Sequence, residues 1–397
     1  MKLLHWNGTK HSVPFDWHST EEQDMAPIRP FRIDVPQADL DDLRDRLTRT
    51  RWTPEIPGQG WTRGVPVDYL RGLADYWAGE FDWRAAEARL NELPQFTTEV
   101  DGQNLHFAHV RSADPAAVPL LISHDWPASF ALYLPVVEAL RAHFHLVLVS
   151  NPGVGFSGPL TAPGWSTARS AAALNEIMAR LGYERYGVQG TGGGAWIAVE
   201  MGRQAPDRVI GVHVNGHITF PSGDPAEFDG LTEAEQDRLR RLQEFRDERM
   251  GFAAIQSTRP QTLAFGLHDS PVGQLAWIVE KFQEWTDPAA QLPEDAVGRD
   301  LLLTNVSLYW FTGTAGSSAN TYWESAHDPS AWAPKEKSTV PLGVALGVTD
   351  ITVRRFAERE APVTHWTELP AGGNFLPAEE PKLFADDVTA FFHAAGS

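Results

Sequence analysis

Apolar residues change their period along this chain. Leu40, Leu43 and Leu47 recur at helical spacing, Pro54, Pro57, Gly58 and Gly60 interrupt them, and Tyr69, Leu73 and Trp77 resume the pattern. Repeats of three and four put one apolar stripe on a helix, so residues 31–91 read as a helical arm. From Phe96 the texture changes: 96–100 and 105–110 alternate on either side of Asp101-Gly102, which predicts a hairpin. Short apolar runs follow at 119–123, 145–150, 186–189, 209–214 and 341–346, with amphipathic segments such as 168–181 between them. Apolar strands alternating with helices predict an α/β fold, a doubly wound and mostly parallel sheet.

Residues 231–330 interrupt that alternation. Leu239, Leu242, Phe245, Trp277, Ile278 and Phe282 mark this stretch as mostly helical. An insertion there lies over the carboxyl ends of the strands, where α/β sheets bind ligands, and so reads as a cap. The expected organisation is an N-terminal extension at 1–27 and the helical arm at 28–95. The sheet-forming core spans 96–228 and 336–397, with the cap at 229–335 between its halves. There is no internal repeat.

Charge narrows the partners. A formal net charge of −19 disfavours nucleic acid and anionic membrane surfaces. No run is long and apolar enough for a membrane span, and residues 1–24 lack a signal-peptide pattern. The chain has no cysteine, which excludes disulfides and thiolate chemistry and fits a cytoplasmic protein. Fifteen Trp and twenty Phe fill a core or grip a bulky flat substrate.

The chemistry centres on Gln189-Gly190-Thr191-Gly192-Gly193-Gly194-Ala195, between an apolar strand and the apolar helix opened by Trp196-Ile197-Ala198-Val199. A sharp strand-to-helix turn at this place is where a nucleophile elbow forms, and its strained backbone demands small residues. Here the small residues are present, but no Ser, Cys or Asp stands at the tip. The glycines also miss the Lys-Ser/Thr of a phosphate loop and the spacing of a dinucleotide fingerprint.

The chain resembles the microsomal-type epoxide hydrolases, α/β-hydrolases with an N-terminal helical arm. The arm carries Arg51-Trp52, Gly64-Val65-Pro66, Tyr76-Trp77 and Phe81-Asp82-Trp83-Arg84. Further on, the resemblance rests on His124-Asp125-Trp126-Pro127, Pro152-Gly153-Val154-Gly155-Phe156-Ser157, His213-Val214-Asn215, Asp269-Ser270-Pro271-Val272-Gly273 and Gly372-Gly373-Asn374-Phe375. The resemblance implies an Asp nucleophile at the elbow, a His base backed by an acid, and two cap Tyr hydroxyls that bond the epoxide oxygen. Residue by residue, the nucleophile position falls on Gly192, the base on Asn374, the acid on Asp350, and the two tyrosines on Tyr322 and Phe252. Gly193 stands where the family has Trp. Asp125 and Trp126 occupy the oxyanion segment, where a carboxylate is expected to repel a developing anion.

Four groups remain as candidates for catalysis. Asp125 is a general acid or base, or else a loop carboxylate held by backbone amides. His217, past the strand 209–214, either replaces the lost base or makes a structural hydrogen bond. Asp350 either acts on substrate or bonds Asn374 as the remnant of a triad, the latter being the favoured expectation. Tyr322 donates to a substrate oxygen or is one more cap aromatic. Thr191 is a weak nucleophile candidate with no base beside it, and His124 is expected to be structural. With Gly192 and Gly193 side-chain-free, the pocket floor is expected to be open, with backbone amides aimed into it.

These residues imply no cofactor and no metal. The expected partner is a hydrophobic small-molecule substrate, with a homodimer left open. The leading expectation is a polycyclic or polyketide-like substrate opened, cyclised, isomerised or subjected to elimination by non-covalent acid/base chemistry. Hydrolysis by direct water attack and non-catalytic binding are its rivals.

Overall fold

The computed structural model describes residues 26–395 apart from 332 and 334. The expected N-terminal extension therefore lies almost wholly outside the described residues. Among them, nine strands form one sheet in the order β1-β2-β3-β5-β4-β6-β7-β8-β9. They are β1 (Arg29–Phe31), β2 (Gln95–Val100), β3 (Gln103–Val110), β4 (Val118–Ser123), β5 (Phe144–Val149), β6 (Tyr186–Thr191), β7 (Val209–Asn215), β8 (Leu342–Leu346) and β9 (Val363–Glu368). Pairing is antiparallel from β1 through β3 to β5 and parallel from β5 to β9.

The apolar runs work as two-faced strands. Leu121, Val147, Val188 and Val214 pack on one side of the sheet with Leu174, Ile177 and Met201 from flanking helices. Their neighbours Leu120, Ile122, Leu146 and Leu148 point the other way, onto Phe384, Val388 and Phe391 of the C-terminal helix Pro381–Ala395. Both faces are covered by helices, which is why these strands lack the polar alternation of a half-exposed sheet.

Two strands were not read from the sequence. β1 has three residues and no periodicity to detect. β9 is a parallel edge strand that is mostly polar, with Thr364, His365, Thr367 and Glu368 among its six residues, so it lacks the apolar run of the inner strands. The arm forms helices Gln37–Thr48, Val67–Gly79 and Trp83–Leu90. Its apolar stripe joins the cap: Leu43, Leu47, Leu70, Leu73 and Trp77 share one cluster with Phe252, Val279 and Tyr309. Trp77 Nε1 donates to Ser307 Oγ at 2.9 Å, pinning the indole while its ring is buried.

A buried charge fastens the far side of the sheet. His213 on β7 and His365 on β9 each donate through Nε2 to one oxygen of Asp387, at 2.9 and 2.8 Å. The hydrogen bonds and charge of His213 hold the Asp387 carboxyl well below the usual carboxylate range despite burial. A depressed folded pKa gives stability that is present above the unfolded value and is lost as pH falls. Asp387→Asn is therefore expected to cost about 2–4 kcal/mol at neutral pH. Denaturant unfolding should show this gap narrowing below about pH 4.

Candidate active site

β6 ends at Thr191, and the chain turns through Gly192 (φ 53°) into the helix Gly193–Gln204. Tight packing makes the turn possible: a β-carbon at Gly194 would lie 2.3 Å from the Ser123 carbonyl oxygen on β4. At Gly192 the obstacle is different. A β-carbon there would lie 2.1 Å from both Cγ and Oδ2 of Asp125 and 2.3 Å from its Oδ1. The carboxylate of Asp125 fills the volume that an elbow side chain would take.

The loop after β4 delivers this carboxylate, and its neighbours fix the loop. Asn151 N–H donates to His124 Nε2 at 3.1 Å and Asn151 Nδ2 to the His124 carbonyl at 2.7 Å. Burial pulls the His124 imidazole down to about 4, so it is neutral and structural, as expected. From the cap side, Asn305 Nδ2 donates to the Pro127 carbonyl at 2.8 Å and Tyr309 OH to the Ala128 carbonyl at 2.7 Å. Trp126 Nε1 donates to Ser318 Oγ at 3.1 Å. Core and cap thus converge on one short loop.

Asp125 Oδ1 accepts the backbone N–H of Gly193 at 2.7 Å and of Trp126 at 2.8 Å. Its Oδ2 accepts Asn374 Nδ2 at 2.7 Å. Desolvation pushes the carboxyl up to about 6, and the three hydrogen bonds limit the rise. The residue is buried, with 7% exposure. The expected repulsion between Asp125 and an anion in the hole needs correcting: the Asp125 carboxylate is itself the anion on those amides. Of the two sequence alternatives for Asp125, the geometry shows the carboxylate held by backbone amides, one from the elbow helix and one from its own loop.

The expected Asp350–Asn374 remnant is not formed. Asp350 Oδ2 accepts Gly216 N–H at 3.0 Å and Oδ1 accepts Thr352 N–H at 2.7 Å, while Asn374 turns its amide to Asp125. Burial raises the Asp350 carboxyl. Backbone donors at Gly216 and Thr352 take both of its oxygens.

Tyr322, on the cap helix Ala315–His327, stands edge-on to Trp126 at 5.7 Å and to Phe252 at 5.8 Å between ring centroids. Burial and the nearby Asp125 charge hold its phenol well above the ordinary value, so it is a protonated donor. Among the described residues its hydroxyl has no hydrogen-bond partner. Phe252 lies flat against Trp126, with ring centroids 5.3 Å apart and planes 7° apart, and Lys281 Nζ is 4.9 Å from its centroid.

The structure does not bring His217 to this group. Its Nε2 donates to Glu360 at 2.9 Å and its ring is fully buried, so it is not placed to serve as a base beside Asp125. Thr191 is also spent internally, with Oγ1 donating to Asn215 Oδ1 at 2.8 Å and lying 2.9 Å from Tyr133 OH.

Sequence reasoning missed Glu379. Its carboxylate accepts the N–H groups of Gly373 (2.9 Å), Phe375 (2.8 Å) and Asp287 (2.7 Å), and the Asn374 N–H donates to the Trp285 carbonyl at 2.7 Å. These bonds staple the Asn374 loop to the end of a cap helix. Burial pushes Glu379 up to about 7. The only sequence signal was an acidic residue four positions after Phe375. Among the described residues, no group of three or more His, Asp or Glu is placed to hold a metal ion, and no helix is long and apolar enough to cross a membrane.

Comparison with known proteins agrees with this architecture. Residues 28–133 match the family described as epoxide hydrolase N terminus, and 118–262 match the alpha/beta hydrolase fold. A Stigmatella aurantiaca protein provisionally named an epoxide hydrolase is 40% identical over 92% of this chain and 84% of its own. Epoxide hydrolase 1 of Oryctolagus cuniculus is 30% identical over 92% of this chain and 88% of its own. The juvenile hormone epoxide hydrolase structure from the silkworm Bombyx mori superposes with a TM-score of 0.86. It is 29% identical, covering 94% of this chain and 96% of that one.

Proposed function

From the premise that the chain belongs to the epoxide hydrolase family of α/β-hydrolases, we propose that it opens the epoxide of a bulky, ring-rich apolar small molecule without forming an ester. Asp125 and Tyr322 carry the chemistry. The observation behind this reading is the Asp125 carboxylate in the volume of the missing elbow side chain, bonded to Gly193 N–H, Trp126 N–H and Asn374.

An ester on Asp125 has no route to hydrolysis, because an amide at Asn374 cannot accept a proton from water. Turnover therefore requires Asp125 to leave the reaction unmodified. As a base with a carboxyl near 6, its Oδ2 removes the proton of the attacking group, a hydroxyl or C–H of the substrate. The epoxide C–O bond breaks, and Tyr322 gives its proton to the leaving oxygen. The proton on Asp125 then returns to the Tyr322 phenolate through solvent or product. The sum is an isomerisation or cyclisation with no water consumed.

A second reading keeps hydrolysis, with water as the attacking group, and the hydrolase names of the relatives favour it. Turnover of a polycyclic epoxide panel in oxygen-18 water separates the two. The proposal expects product without solvent oxygen; label in the product supports direct water attack. Tyr322→Phe should lower turnover about 100-fold, while affinity measured by equilibrium titration changes little.

A further inference from the structure

The successive amides of Gly372, Gly373, Asn374 and Phe375 are all committed outward, to Glu379 or to the end of the cap helix Pro271–Trp285. Gly372 N–H donates to Asp287 Oδ2 at 2.9 Å, Gly373 N–H to Glu379 Oε2 at 2.9 Å, Asn374 N–H to the Trp285 carbonyl at 2.7 Å and Phe375 N–H to Glu379 Oε1 at 2.8 Å. Asp287 N–H closes the group by donating to the same Glu379 Oε2 at 2.7 Å. A single carboxylate thus binds both sides of the seam between the core loop and the cap helix. Its hydrogen-bond donors are backbone N–H groups, so the ionised acceptor fixes backbone position rather than balancing a side-chain cation.

The two sides of the seam meet closely. A β-carbon at Gly373 would lie 2.2 Å from the Trp285 carbonyl oxygen, and Phe375 stacks on Phe282 with ring centroids 4.2 Å apart. Each side carries one half of the reacting group. On the core side, Asn374 Nδ2 holds Asp125 Oδ2 at 2.7 Å. On the cap side, Trp285 stands edge-on to Phe252 at 5.3 Å and to Trp126 at 6.5 Å, the rings against which Tyr322 rests. A slip at the seam moves the base relative to the proton donor, and a misplacement of about 1 Å costs on the order of 100-fold in rate.

We infer that Glu379 is a positioning residue, which sets the direction of the Asn374 amide and, through it, of Asp125 Oδ2 against Tyr322. It acts through Asn374 and not on the substrate. The effect on rate rests on the epoxide-opening reading; the effect on Asn374 rests on the hydrogen bonds alone.

The test compares the full chain with Glu379→Gln and Glu379→Leu. Gln keeps one oxygen for the Gly373 and Asp287 amides, and Leu keeps none. The first readout needs no turnover. In nitrogen-15-labelled protein, the Asn374 side-chain amide signal, assigned by its loss in Asn374→Ala, reports the bond to Asp125 and should move in Asp125→Asn. It should move likewise in Glu379→Leu and by less in Glu379→Gln. The second readout is turnover of phenanthrene oxide, with affinity measured separately by equilibrium titration. Turnover should fall about 100-fold in Glu379→Leu and about 10-fold in Glu379→Gln, with affinity little changed. A purely structural role lowers the unfolding temperature and leaves both readouts of the folded protein unmoved. An unmoved Asn374 signal in folded Glu379→Gln overturns the inference, as does a moved signal with unchanged turnover in both variants. If the unaltered protein turns over no epoxide but the signal moves as stated, the epoxide-opening reading fails and the positioning of Asn374 stands.

Discussion

Asp125→Asn is expected to lower turnover about a thousandfold, because on the proposed mechanism it removes the general base without changing the shape of the loop. The fold should persist, since Asn keeps an oxygen for the Gly193 and Trp126 amides that hold Oδ1. The pH dependence has a definite sign. A base works when ionised, and burial raises this carboxyl to about 6, so turnover of the unaltered protein falls as pH drops through about 6. The variant should lose that acidic limb. A pH–rate profile of both proteins, with circular dichroism to confirm folding, checks the expectation. An unchanged limb in the variant assigns it to another group, such as Glu379, pushed up to about 7 by burial.

Gly192→Asp, which restores the family nucleophile by sequence, should damage the protein rather than repair it. The new β-carbon would overlap Asp125, at 2.1 Å from Cγ and Oδ2, on a backbone with φ 53°. Overpacking plus a second buried carboxylate beside the first is expected to cost about 3 kcal/mol or more. Adding Asn374→His does not relieve the overlap. The triple variant Asp125→Gly, Gly192→Asp, Asn374→His does, because it vacates the volume before filling it. It alone should release diol from styrene oxide, while Gly192→Asp alone shows a lowered unfolding temperature and no diol. Equal stability of Gly192→Asp and the unaltered protein would contradict the steric reading of the elbow.

Positions 125 and 192 share one volume, and this was only half legible in the sequence. The glycines around Gly192 announced an elbow because tight turns restrict residue choice locally. The apolar runs at 119–123, 186–189 and 209–214 announced the sheet for the same kind of reason, a period visible within a few residues. The position of Asp125 relative to Gly192 was not legible, since 67 positions separate them and only the β4–β6 pairing brings their loops together. His217 failed as a candidate in the opposite way. Its position at a strand end was right, but the orientation of its ring toward Glu360 depends on a helix more than 140 residues away. Asp350, given the acid position by the resemblance, bonds backbone donors that no spacing rule reveals and not Asn374. The family resemblance located the site; only side-chain geometry showed that the Asp125 carboxylate lies where a β-carbon at position 192 would stand.

Whether that carboxylate acts as a base or as a nucleophile is decided by one measurement. The protein is turned over repeatedly with its epoxide in oxygen-18 water, digested, and the peptide carrying Asp125 is weighed by mass spectrometry. The expected outcome is a light peptide, with neither solvent oxygen nor substrate attached to Asp125. Heavy oxygen in the Asp125 carboxylate, or a substrate ester trapped on it, would contradict non-covalent opening and make Asp125 a nucleophile transplanted from the elbow.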